Sequence, residues 1–235
     1  MPIQAVLASN RLLATLPIED RLRMMENCES IEVRFAEVLS KPGEPILYAY
    51  FPASCVISSV MPSDSGVQLE VGLIGNEGML GMPLMLGVDT APFHSAIQCS
   101  GLVIRIATPL FLLEIERSLV LQKRLKSYLY VSIRQLAQTA TCNRFHEVLQ
   151  RLARLLLMIR DRTHSDEFHI TQELLAHMLG VRRVGVTKAA GSLQHEKFIS
   201  YSRGEVKIHN VVGLESVSCR CYNADKEIYD HIMNG

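Results

Sequence analysis

The stretch ITQELLAHMLGVRRVGVTKAAGSLQHEKFI, Ile170 to Ile199, constrains the fold more than any other part of the chain. An apolar two-helix pattern breaks there at one glycine and restarts with two arginines. Two helices that cross around a tight turn need a small residue at the crossing, a residue tolerant of positive φ in the turn, and apolar residues that lock the second helix onto the first. Ala176 supplies the crossing, Gly180 the turn, and Leu175, Leu179, Val181, Val186 and Ala189 the lock. With those positions inward, Arg183, Thr187 and Lys188 must face outward. Charges that only solvated a helix would be spread around it, whereas these gather just behind the turn, where they can meet something anionic. The next stretch, FISYSRGEVKIH, alternates around Arg203-Gly204 and predicts a β-hairpin, which makes the module a winged helix-turn-helix.

The second helix of such a module enters the DNA major groove by its N-terminal end, where arginine bridging guanine O6 and N7 is the commonest specific contact. Arg183 is therefore the expected base reader, with Arg182 and Thr187 beside it. Lys188 lies about 140° further around the helix and is assigned to the groove wall or a phosphate. Thr171 is the expected cap of the first helix, which leaves free backbone donors where a phosphate could dock. Arg203 and Lys207 on the wing are phosphate candidates. The whole chain carries 24 Lys and Arg against 24 Asp and Glu, so its net charge predicts no partner. Between Ile170 and Asn210, however, Arg182, Arg183, Lys188, Lys197, Arg203 and Lys207 outnumber Glu173, Glu196 and Glu205. Two helical glycines complicate the pattern, each costing roughly 0.5 to 1 kcal/mol relative to alanine. Gly185 is expected to face outward beside Arg182, and Gly191 has no explanation in the sequence. Two competing readings are a merely solvated charged face and a domain that contacts protein, which would need an apolar outer face on the Arg182 helix.

Upstream the texture changes twice. Asn10 to Glu29 predicts two short helices broken at Pro17, with Leu12, Leu13, Leu16, Leu22 and Met25 apolar. From Ile31 to about Thr108, short runs rich in Val, Ile and Tyr are punctuated by the turns KPGEP, FPAS, PSDSG, GNEG and GVDTAP, which implies a sandwich or rolled barrel. EVGLIG, FHSAIQCSG and LVIRIA fit its later strands. Beyond Pro109, Leu121, Leu125, Leu129, Ser132, Leu136 and Ala140 recur three or four residues apart, giving a long helix with one narrow apolar seam. Flanked by Lys123, Arg124, Lys126 and Arg134, that seam fits a two-helix dimer interface better than a helix lying on its own β domain. A further amphipathic helix is expected from Phe145 to Arg160. The fold class is thus α+β, with a jelly-roll-like β-roll at 1–113, a dimerisation helix at 114–143, and a winged helix-turn-helix with a C-terminal extension at 144–235.

That order of parts, together with the ITQELLAHMLGVRRVGVTKAAGSL motif, resembles the Crp/Fnr family of bacterial transcription regulators over nearly the full length. The resemblance implies a homodimer that binds an inverted repeat in double-stranded DNA, works with RNA polymerase, and carries a cyclic-nucleotide-binding-like sensor domain. Val184 stands where the family often has an acidic base reader, which changes the expected operator. Cyclic-AMP-binding members carry a Gly-Glu, loop, Arg-Ser-Ala cassette. In the corresponding stretch here, GMPLMLGVDTAPFHSA, Gly81 is retained, Met82 replaces the carboxylate, and His94 replaces the arginine before Ser95 and Ala96. A thioether is a poor acceptor for a ribose hydroxyl, and a mostly neutral imidazole is a poor substitute for a guanidinium. The expectation is a degenerate pocket that does not respond to cyclic AMP, with the effector unknown. The clustered N-terminal cysteines of iron-sulfur members are missing, since only Cys28 lies there. Pro2 lacks the cysteine and histidine partners of the haem-binding members.

No cofactor is expected. Six scattered cysteines read as reduced core thiols of a cytoplasmic protein. The sharpest exception is Cys219-Arg220-Cys221, a pair able to bind a soft metal or to oxidise, with His209 and His231 as conceivable further ligands. A recognisable ligand spacing is not seen, so the expectation is a buried thiol packing a C-terminal helix, and metal or redox sensing is the alternative. Glu70 and Glu77 flank a glycine-rich turn without a nucleophile or base at motif spacing, so no enzyme is expected. The N-terminus lacks the order of a secretory signal. No apolar run approaches the ~18 residues that span a bilayer.

Overall fold

A computed structural model describes residues 9–62 and 68–234. Pro2 and most of the PSDSG turn lie outside these residues. Among the described residues, Asn10 caps the first named helix, α1 (Arg11–Ala14), by accepting from the Leu13 N–H at 3.1 Å. Its amide donates to the carbonyls of Pro52 (2.8 Å) and Gly78 (3.0 Å), which satisfies a fully buried side chain. Pro17 separates α1 from α2 (Ile18–Asn27), the break the sequence predicts. The inward residue of α2 is Met24 while Leu22 faces solvent, and the helix stops before Glu29 because Cys28 already opens the first strand.

Seven strands follow: β1 (Cys28–Val33), β2 (Val38–Ser40), β3 (Tyr48–Pro52), β4 (Val56–Pro62), β5 (Gln68–Ile74), β6 (His94–Cys99) and β7 (Gly101–Ala107). They form two sheets ordered β1-β7-β3 and β2-β6-β4-β5. The central β7 pairs antiparallel with β1, Ile31 opposite Val103, and with β3, Phe51 opposite Ile104. Val33, Tyr50 and Val103 of one sheet pack with Ile57 and Ile97 of the other and with Cys55, so a single apolar layer holds the roll together. Burial pushes the Cys28, Cys55 and Cys99 thiols up to about 12, the inert behaviour expected of core cysteines.

After the roll come α3 (Thr108–Arg117) and α4 (Leu119–Phe145). Ser118 makes the break: its hydroxyl accepts from the Leu121 N–H at 3.0 Å and donates to Asp20 at 2.5 Å. The predicted single start to the long helix misses α3, whose signal merges with that of α4. The next helix, α5 (Val148–Thr163), begins three residues later than expected because Phe145 still belongs to α4. Glu147 and Gln150 cap α5 reciprocally, which fixes the break.

The remaining elements are β8 (Glu167–His169), α6 (Gln172–Leu179), α7 (Arg183–His195), β9 (Ile199–Ser202), β10 (Glu205–Ile208), α8 (Val211–Val217) and α9 (Cys221–Asn234). β10 lies between β8 and β9, so the predicted hairpin is part of a three-stranded sheet. Three residues are too few to show an alternation, which is why β8 leaves no signal in the sequence. The chain divides into two compact units, one holding residues up to Ser59 with Leu73–Ser132, the other Val60–Gly72 with everything from Ile133. Among the described residues no helix is long and apolar enough to cross a membrane.

Candidate nucleic-acid interface

Thr171 caps α6 as predicted, its hydroxyl oxygen accepting from the Leu174 N–H at 3.2 Å. Gly180 ends the helix at φ 60°, a left-handed conformation that favours glycine, and the chain turns at once into α7. Leu175, Ala176, Leu179, Val186 and Ala189 are buried and Val181 is half-buried, which is the predicted lock. Arg182, the N-cap of α7, and Arg183, its first residue, are both exposed, as is Lys188. Thr187 also faces solvent, but its hydroxyl lies 2.7 Å from Gln172 Oε1 and 3.1 Å from the Arg183 carbonyl, so it braces α6 against α7.

The outer face of α7 is basic at its leading end, and its one large exposed apolar side chain is Val184, 65% exposed. Gly185 departs from expectation. A Cβ there would stand 3.9 Å from Val148 of α5, so this position faces the protein interior and not the solvent. Gly191 is exposed, a Cβ there would meet no heavy atom within 4 Å, and nothing in the structure explains it.

On the wing, Arg203 and Gly204 hold φ 53° and 87° between β9 and β10, the two positive values of a tight two-residue hairpin. Arg203 is exposed at this tip. Lys207 is differently placed from the free phosphate contact expected: it stands opposite Glu167 of β8 and its ammonium pairs with that carboxylate, which holds its pKa up. Tyr201 donates its hydroxyl to the Ile170 carbonyl at 2.6 Å, fastening the wing to the segment that leads into α6.

The other predicted sites are less uniform. Gly81 sits at φ 111° and Met82 opens a 3-10 turn that runs to Leu86. His94 is half-buried at the start of β6, and the buried Ser95 shares a 2.9 Å hydrogen bond with Ser59 of β4, which occupies its hydroxyl. From Gly81 to Ala96 the chain has no Arg or Lys. The α4 seam divides. Leu121 and Leu125, expected in a two-helix dimer seam, are 1% and 0% exposed within the single chain, in the compact unit that also holds the roll, so their burial needs no second copy. Leu129 and Ser132 are half-buried, and Ser132 donates back to the Tyr128 carbonyl. Leu136 (45% exposed), Ala140 and the unpredicted Ile133 (58% exposed) leave an apolar stripe facing outward.

Cys219 and Cys221 are buried, as expected, but their companions are not the predicted histidines. His209 lies 3.0 Å from the Ser200 hydroxyl, and His231 is exposed on α9. Cys142 and His146, from the end of α4, complete the group instead. Hydrogen bonds from Cys142 and then Cys221 hold the Cys219 thiol down, while Cys142 itself is pushed up.

These elements define a winged helix-turn-helix DNA-binding domain in a chain that also carries a β-roll. More particularly, residues 150–217 match the Crp-like helix-turn-helix domain, and the chain has the fold of the Crp/Fnr regulators. The structure is similar to that of FixK2 from Bradyrhizobium japonicum, at 12% identity and a TM-score of 0.70 over 82% of this chain and 98% of that one. It is similar to a CRP-family transcriptional regulator from Thermus thermophilus, at 15% identity and 0.68 over 80% and 96%. A third similar structure is CLP, the c-di-GMP-responsive global regulator of Xanthomonas campestris, at 16% identity and 0.66 over 82% and 99%. No curated protein sequence gives a significant match.

Proposed function

We propose that the protein is a cytoplasmic, homodimeric transcription regulator that reads an inverted repeat in double-stranded DNA, acts with RNA polymerase, and does not respond to cyclic AMP. The observation that carries the reading is the leading end of α7, where Arg182 and Arg183 stand free of the protein behind a braced turn. Arg183 reads a guanine edge and Lys188 meets the groove wall or a phosphate. Thr171 and Arg203 add phosphate contacts, while Lys207 must first leave Glu167 to do so. Val184 offers an apolar side chain for the thymine methyl group, the contact open to it in place of an acidic reader's hydrogen bond. Leu129, Ile133, Leu136 and Ala140 recur at four, three and four residues along one face of α4, the spacing of a two-helix seam. A second copy of α4 covers that stripe, and two recognition helices then enter major grooves about one turn, ~34 Å, apart. For the β-roll, Met82, His94 and the hydrogen-bonded Ser95 offer neither a carboxylate for a ribose nor a fixed cation for a cyclic phosphate.

The test is selection from a random duplex pool at physiological salt, followed by affinity measurements on variants. An inverted repeat with half-sites one turn apart should be enriched. Arg183→Ala should cost ~1 to 3 kcal/mol on that site and relax its sequence preference, whereas Arg203→Ala should weaken all sequences alike and shallow the salt dependence. Equal loss on selected and random DNA for Arg183→Ala would overturn the assignment.

A further inference from the structure

Cys142 lies in the last turn of α4 and His146 directly follows the helix, its backbone N–H still donating to the Cys142 carbonyl at 3.1 Å in the helical i, i+4 pattern. Residues four apart share a helix face, so thiol and imidazole point the same way. Cys219 and Cys221 flank the single residue that leads into α9. One donor atom from each of the four side chains lies within 4.8 Å of the other three. Cys142 Sγ stands 3.5 Å from Cys219 Sγ, and Cys221 Sγ stands 3.4 Å from His146 Nδ1.

We propose that Cys142, His146, Cys219 and Cys221 form a tetrahedral site for one zinc ion, a structural centre that fixes α9 to the end of α4. Zinc binds thiolate at about 2.3 Å and imidazole at about 2.0 to 2.1 Å, so the edges of its tetrahedron are about 3.8 Å between sulfurs and about 3.6 Å from sulfur to nitrogen. The two measured edges agree with these to within a few tenths of an ångström. Four donors this close enclose a single ion and leave no room for an iron-sulfur cluster. All four positions are filled by protein, which is the closed coordination of a structural and not a catalytic centre. Soft sulfur ligands favour zinc over magnesium or calcium.

The surroundings fit a charged centre. Gln138 donates its side-chain N–H to Cys221 Sγ at 2.9 Å, the outer contact that orients a metal-bound thiolate. Arg151 and Arg154 are buried on the adjoining α5, where both feel the Cys142 and Cys219 thiols. Asp225 pairs with Arg154 at 2.5 Å, but the hydrogen bonds of Arg151 go to Asn143 and the Leu179 carbonyl, which are neutral. Three thiolates and a divalent ion leave one negative charge, which Arg151 offsets. A buried guanidinium without a counter-charge would be costly.

The zinc site stands apart from the DNA reading, and its test uses no DNA. Full-length protein, reduced and stripped with a chelator, is titrated with zinc against a chromophoric competitor and separately with cobalt. Uptake of one ion per chain, the intense visible absorption of tetrahedral thiolate-bound cobalt, and a zinc-dependent rise in the thermal midpoint are expected. Cys221→Ser should abolish the tetrahedral spectrum, and Cys221→His, which keeps a donor, should retain it with weaker sulfur charge transfer. Gln138→Leu should weaken zinc ~10- to 100-fold while leaving the spectrum tetrahedral. No uptake by the reduced wild-type chain overturns the proposal, as does an octahedral cobalt spectrum. A Cys142–Cys219 disulfide that forms in air while the reduced form has no zinc affinity also overturns it. The wild-type measurements decide the matter even where a variant fails to fold.

Discussion

Gly191 sits within α7 in right-handed helical backbone, with open space where a Cβ would stand. Glycine loses more freedom on folding than alanine and gains nothing here from its conformation. Gly191→Ala should therefore stabilise the protein by ~0.5 to 1 kcal/mol, seen as a higher urea midpoint with an unchanged slope. Asp225 on α9 argues the opposite way, because it neutralises a guanidinium and both side chains are buried. Asp225→Asn should cost ~3 to 5 kcal/mol in the same assay, since an unpaired charge then stays inside. Single residues are legible in the sequence where a motif dictates which face turns inward. Arg183, Lys188 and Thr171 follow from the crossing at Ala176 and the turn at Gly180. Cys142 and His146 do not follow, because they meet Cys219 and Cys221 only through tertiary folding and no local spacing records it. The motif alone places Gly185 on the wrong face, because Val148 approaches from a helix that the motif does not include.

At the scale of elements, α4 is the most informative. Its apolar residues serve two different surfaces, so a single periodicity count blends them. Leu121 and Leu125 turn into the chain's own core, while Leu129, Ile133, Leu136 and Ala140 follow the outward stripe. The two groups predict different phenotypes. Ile133→Asp with Leu136→Asp should convert a dimer to a folded monomer in sedimentation velocity and weaken binding to the full inverted repeat. Leu125→Ala should instead lower stability by ~2 to 5 kcal/mol through a cavity in the roll-side core. Short elements are least legible. The three-residue β8 shows no alternation, and the α3–α4 break depends on a serine bonded to a distant aspartate. The winged hairpin is legible because its Arg-Gly turn and alternating flanks are local.

For the whole molecule, the β-roll and the winged helix-turn-helix can be read from texture alone, since turn spacing and helical period differ sharply on either side of Pro109. What a roll binds is a matter of a few side chains. Millimolar cyclic AMP should leave the thermal midpoint unchanged, because a ligand that binds only the native state must raise it. A saturable rise would restore the pocket that Met82 and His94 are proposed to disable.

The position of α9 bears on how mutations in the gene would be tolerated. A nonsense codon after the wing and α8 would look like the loss of a tail, yet it would delete Cys219, Cys221 and Asp225 at once. Cys142, His146 and Arg154 would then face empty space. The C-terminal segment is thus as intolerant of truncation as a central strand, and tags or reporter fusions belong beyond Asn234, never in place of the helix that precedes it.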